Sequence, residues 1–279
     1  MPIMGFPIGY QGAFPIDVEV PGAPSDFDPD AMAWFEAVEA EGANFGPTPE
    51  IAAANKTAWS NWVIAQKNAE SPISGKSNWD QLTQAGEGFI QPLMGVSTFN
   101  IPTMFGGSTF TGFVSGDYLP ALGLKGGSGK SLVANRSFAA APLTDISAGM
   151  WLTEAGSIGS NNRIFGGAGR TLVLADARGT AHSGLIPVTG SGPVYTTGTF
   201  PRAAFVSRSS SNKSLYFNDV AYTITESAVL SQDEPVTFFA RAGGSQFTNN
   251  RAGLAFYGRS IDLEAMNTAC IALSEAITW

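Results

Sequence analysis

The 279 residues hold one cysteine (Cys270), one histidine (His182) and only 14% charged side chains, so the sequence offers little for chemistry. A lone cysteine excludes an internal disulfide framework and leaves the redox compartment open. No apolar run approaches the ~18 residues of a membrane-spanning helix. The opening MPIMGFPIGYQGAFP has no positive n-region and its apolar stretches are broken by Pro and Gly, so it does not read as a secretory signal. Positive charge is missing altogether from residues 1–55, where nine acids carry −9. The rest holds 15 basic and 14 acidic residues, a balance of +1, so the net −8 belongs to the first fifth of the chain. With a pI near 4.6 and no basic block, nucleic acid is not an expected partner.

What is present is apolar content of 44%, with 33 Gly and 17 Pro, which suits a folded, loop-rich protein. Residues 1–27 carry five prolines and four glycines, which deny it a helix or a central strand. Yet Met4, Phe6, Ile8, Tyr10, Phe14, Ile16 and Val18 recur mostly at even positions. This reads as an extended arm that lays apolar side chains on another surface, of its own domain or of a neighbouring subunit.

Residues 28–95 read as a small helical unit. Asp28 is placed to cap a helix with Pro29 at its first position, and Gly42 ends it. Ala31, Trp34, Phe35 and Val38 share one face of that helix. Thr48 and Pro49 open a second helix, whose face is expected to be Ile51, Ala54, Ala58, Trp62 and Ala65. A short segment from Ser77 to Ala85 adds Trp79 and Leu82. Four of the six tryptophans lie between residues 34 and 79, more aromatic surface than short helices bury alone. The unit must dock on something, and Trp34 and Phe35 join Phe6, Ile8, Tyr10, Phe14 and Ile16 as its expected attachment residues.

From about Val96 short apolar or alternating runs are separated by Gly, Ser, Thr and Asn clusters, the rhythm of an all-β sandwich over 96–279. Clear strands are Thr171–Leu174, Leu215–Phe217, the alternating Val220, Tyr222 and Ile224, the PVTFFAR stretch, and Leu254–Tyr257. Ser260 is expected to cap a closing helix, with Leu263, Met266, Cys270, Leu273 and Ile277 on its apolar face.

Catalytic patterns fail in turn. His182 and Ser183 adjoin in a Gly-rich stretch, but no third group is indicated, and a loop histidine is the plainer reading. Leu124 occupies the first glycine position of a GxxxxGK[ST] phosphate loop ending at Lys130-Ser131, so residues 124–131 read as a glycine-rich hairpin loop. There is no His pair or CxxC. Asp219 and Asp233-Glu234 could ligate Ca²⁺ in a sandwich loop, but surface acids suffice as their explanation. Sugar hydrolysis needs paired carboxylates, whereas Asp117, Asp145, Glu154, Asp176, Asp219 and Glu226 are isolated. No enzyme activity, cofactor or metal is expected.

Two stretches resemble structural proteins of tailed bacteriophages. DPDAMAWFEAVEAEG (28–42), followed by a Trp-bearing helix and Trp79-Asp80-Gln81-Leu82, is similar to the helical unit that precedes a jelly roll in such virion proteins. FVSGDYLPALGLKG (113–126) is similar to the start of their concanavalin-like, laminin-G-like sandwich, and RAGLAFYGRSIDL (251–263) to its last strand and closing helix. The resemblance implies a mainly β jelly-roll sandwich in a virion component, of tail, fibre or head surface. Its implied partners are other virion proteins, copies of itself and host-surface glycan, without membrane insertion. A stand-alone lectin-like module and a glycan-degrading enzyme are the alternatives. On either virion placement, the surface receiving residues 1–55 should offer Lys or Arg, and attachment should weaken with salt.

Overall fold

The computed structural model describes residues 27–73, 75–138, 140, 145–156, 162–166, 173–177, 180–184, 194–196, 202–209, 212–217, 220–224, 234–240 and 247–279. Two antiparallel sheets lie face to face, and helices cover the outer side of one of them. The chain is thus mainly β, with N-terminal helices and a C-terminal helix.

Helix α1 spans Pro29–Ala40 and α2 spans Pro49–Asn68; the capping side chains of Asp28 and Thr48 accept from the Asp30 and Ile51 amides. Pro at each first position lacks the N–H that would otherwise be left over there. Short α3 (Asn78–Leu82) has a capping box in which Ser77 and Asp80 satisfy one another's backbone donors. Helix α4 covers Leu263–Ala276. Its cap is Asp262, which accepts from the amides of Glu264 and Ala265, and not Ser260. The Ser260 hydroxyl instead donates to Asp145 at 2.6 Å.

The strands follow in chain order: β1 (Phe89–Pro92), β2 (Ser108–Thr111), β3 (Tyr118–Leu119), β4 (Gly123–Lys125), β5 (Ser131–Ser137), β6 (Asp145–Glu154), β7 (Asn162–Gly166) and β8 (Val173–Ala177). Then come β9 (Thr180–Gly184), β10 (Val194–Thr196), β11 (Arg202–Ser209), β12 (Asn212–Phe217), β13 (Val220–Ile224), β14 (Pro235–Phe238) and β15 (Arg251–Gly258). The first sheet runs β13-β12-β11-β6-β15-β4-β3, with β1 following β4 along the same side of β15. The second runs β10-β9-β8-β7-β14-β5-β2.

Alternation along the central strands of the first sheet explains how one sheet serves two cores. Met150, Leu152, Ala204, Val206, Ala255 and Tyr257 point between the sheets, where they meet Phe138, Phe165 and Phe238. Their neighbours Trp151, Ala203, Phe205, Leu254 and Phe256 point the other way and pack with Trp34, Trp59, Trp62 and Met266 from the helices. Strand β15 is therefore buried at every position, as a strand covered on both faces must be. The tryptophans of the helical unit are covered by this sheet and by α4.

The face expected for α2 is rotated. Ala58 and Trp62 are buried as expected, but Asn55, Trp59, Val63 and Gln66 are buried too, while Ala54 is exposed. Helix α2 packs against α1, α3 and α4, so it buries more than one stripe. Polar Asn55 goes inside because its amide donates to the Phe45 and Thr278 carbonyls and accepts from the Thr278 amide. Among the described residues no helix is long and apolar enough to cross a membrane.

Candidate functional site

Five expected attachment residues, Phe6, Ile8, Tyr10, Phe14 and Ile16, lie outside the described residues. The other two are on α1, and the structure places both inside. Trp34 is 2% exposed, donates its indole N–H to the Pro102 carbonyl at 3.0 Å, and meets Phe45 and Trp59 edge-on. Its ring ties α1 to α2 from the inside. Phe35 is also buried, edge-on to Phe27 and Phe45 at 5.5 and 5.0 Å, but its ring contributes to the floor of an open groove.

That groove lies between α1 and α2, with a volume of about 420 Å³. Phe27, Met32, Phe35, Pro49 and Ala52 make its apolar lining, and Lys56 stands at its side. Ala52 and Ala53 offer only methyl groups from α2, which leaves the space. The Lys56 ammonium sits 5.7 Å from the Phe35 ring centre and 5.4 Å from that of Phe45, while pairing with Glu39.

The acids of the first helix find partners at home. Lys67 bridges Asp28 at 2.8 Å and Asp30 at 2.6 Å, and its ammonium lies 5.6 Å from the Trp79 ring centre. Burial alone would lower the Lys67 pKa; the two carboxylates outweigh it and raise the value. Both lysines follow residue 55 in sequence, so counting charge by segment separates them from the acids they neutralise. Part of the −9 is thereby met within the chain.

The acids of the sandwich are engaged as well. Asp117 pairs with Lys130 and accepts from the Val114 amide. Burial works to raise its pKa, but Lys130, the Val114 amide and Arg251 together hold it below the usual carboxylate value. Glu154 meets Arg251 at 2.7 Å, and Arg251 donates onward to the carbonyls of Asp117 and Gly123 at 2.7 and 2.8 Å. Glu87 and Asp145 both grip Arg259. These pairs brace the β3–β4 turn to β15, and the end of α3 to β6 and β15. The stretch resembling a phosphate loop is the β4–β5 connection, and its Lys130 is committed to Asp117.

His182 lies on β9, opposite Ala175 and Val194, rather than in a loop. Asp219 and Asp233 lie outside the described residues. Cys270 is fully buried on α4 with its Sγ 3.8 Å from the Met266 sulfur, and burial pushes its thiol up to about 12. Among the described residues no group of three or more His, Cys, Asp or Glu could hold a metal.

The outer face of the second sheet carries no helix among the described residues. Thr109, Thr111 and Asn135 are exposed there, with Ser131 and Val133 half-buried in register beside them. Neither β2 nor β5 is singled out as a strand by the sequence; the uncharged surface they share emerges once register pairs Thr109 with Val133 and Thr111 with Ser131.

No family model matches the chain, and no curated protein matches it. Among solved structures it is similar to a trans-sialidase-active mutant of Trypanosoma rangeli sialidase, with TM-score 0.48 and 12% identity over 81% of this chain and 38% of that one. It is also similar to the binding domain of botulinum neurotoxin DC, solved with rat synaptotagmin II (0.46, 12%, 66% and 51%). A third is domain 4 of AbnA, an extracellular arabinanase of Geobacillus stearothermophilus (0.38, 14%, 60% and 89%). The chain spans well under half the length of the sialidase. The fold stands on the chain's own strand pairing.

Proposed function

We propose that the chain is a non-catalytic structural component of a tailed-phage virion, attached through its N-terminal segment and displaying the second sheet outward. The observation that carries this reading is the use of the ionic side chains. Asp117, Asp145 and Glu154, three of the sandwich acids that sugar hydrolysis could recruit, are each tied to a lysine or arginine that braces strands and loops. Their engagement in ion pairs supports a bracing role for these three over the paired acid and base of glycoside cleavage. The resemblance of 28–42, 113–126 and 251–263 to virion proteins supplies the setting. Mass spectrometry of particles purified from the source should find the chain at stoichiometric copy number, and its absence from them overturns the reading.

A second reading, a glycan-binding module, is favoured by the uncharged hydroxyl and amide surface of Thr109, Thr111, Ser131 and Asn135. Such groups match sugar hydroxyls without the desolvation cost of charge. A glycan array probed with the full chain should then show binding that Asn135→Ala and Thr109→Ala weaken; a blank array removes this reading.

A further inference from the structure

We infer that the groove between α1 and α2 is the seat of residues 14–20 of the same chain. The occupant is argued from where the described chain ends. Phe27, its first described residue, itself lines the groove, so the 26 residues before it enter the molecule at that site. The stretch Phe14-Pro15-Ile16-Asp17-Val18-Glu19-Val20 alternates strictly, with Phe14, Ile16, Val18 and Val20 on one side and Asp17 and Glu19 on the other. Of the N-terminal runs this is the one nearest the groove, and its apolar side matches the lining of Phe27, Met32, Phe35 and Ala52.

Between this stretch and Phe27 stand only Pro21-Gly22-Ala23-Pro24-Ser25-Asp26. These six residues reach at most about 20 Å when extended, and they carry the Pro and Gly with which chains reverse. A segment tethered that closely acts at millimolar effective concentration or above. It therefore outcompetes the same segment of another molecule unless the geometry forbids return. Lys56 lines the groove together with Glu36 and Glu39 and already pairs with Glu39, so the seating is assigned to the apolar side of 14–20 and not to Asp17 and Glu19. Seating residues 14–20 in this way leaves Met4, Phe6, Ile8 and Tyr10 as the part of the arm that can reach a neighbour. The inference holds or fails whether or not the chain belongs to a particle.

The test uses the full chain with Ile16→Cys and Ala53→Cys and a short bis-maleimide crosslinker. Buried Cys270, with its raised thiol, stays out of the reaction. The expected product is a 16–53 crosslink within the monomer band, at least about tenfold above a control that pairs Ile16→Cys with Thr109→Cys on the second sheet. Adding Ala52→Glu, which puts a carboxylate into the groove, should abolish that crosslink with the far-UV circular dichroism unchanged. Crosslinking in a dimer band, yield no higher than the control, or a crosslink that survives Ala52→Glu each overturns the inference.

Discussion

Arg251 is 5% exposed and donates, at one corner of the sandwich, to the Glu154 carboxylate and to the carbonyls of Asp117 and Gly123. Glu154 is 43% exposed and can return to water if the arginine goes. The two carbonyls cannot, so the cost of Arg251→Met falls on them. Hydrogen bonds to charged groups contribute about 1.5–3 kcal/mol, and we expect a loss of that order, with the urea midpoint lowered and the slope unchanged. Asp117 beside it sets a pH dependence. Its carboxyl is held below the ordinary value, because Lys130, the Val114 amide and Arg251 outweigh burial. A depressed carboxyl lends stability that is fully present above its unfolded value, near about 4, and is lost as pH falls through its folded value. Asp117→Asn should therefore be less stable than the native chain at pH 7. The gap should narrow as unfolding is measured at successively lower pH; a gap constant down to pH 3 would contradict this account.

At the scale of elements, the helices are the most legible part of the sequence. Asp28-Pro29, Thr48-Pro49 and the 3, 4, 3, 4 spacing from Leu263 to Ile277 place α1, α2 and α4 within a few residues. Local chemistry decides those features, so a local reading finds them. The cap of α4 is different, because Ser260 and Asp262 are both good cap types and the structure gives the role to Asp262, while Ser260 binds the distant Asp145. Asp262→Ala should then cost about 1 kcal/mol, typical of a lost N-cap, in chemical denaturation. If Asp262→Ala proves neutral, the carboxylate does not serve as the cap. The buried face of α2 was similarly hidden, since Asn55 is admitted to the interior by Thr278, far along the chain, and Gln66 accepts from Asn78 at the start of α3. For the candidate site, sequence pattern marks Trp34 and Phe35 as important apolar residues. It does not reveal that Trp34 packs edge-on to Phe45 and Trp59 and Phe35 to Phe27 and Phe45, nor that Lys56 and Lys67 answer the acids of α1. Each of those facts is a tertiary pairing without a local signature.

At the scale of the whole molecule, the helical layer and the sandwich are joined through one sheet. Trp151 shows how. It is fully buried, its neighbours on β6 face the core between the sheets, and its own ring packs with the helices while its N–H donates to Ser274 on α4. The same cluster holds Trp59 and Trp62 of α2 and Phe205 and Phe256 of the sheet. Removing the helices would strip the apolar cover from the outer face of the sheet, and removing the sheet would take apolar cover from the tryptophans of the helices. The helical layer buries its tryptophans only with the sheet in place, and the outer face of the sheet is covered only by the helices, so the two should unfold together. Trp151→Ala opens a cavity where they meet and should cost about 3–5 kcal/mol, the range for a buried tryptophan or phenylalanine truncated to alanine. Helical ellipticity at 222 nm and aromatic ellipticity in the near-UV should be lost in one coincident transition in the native chain, and should shift together to lower urea in the variant. Two separated transitions, with only the helical signal moved by Trp151→Ala, would mean that α1, α2 and α4 fold as a unit apart from the sandwich.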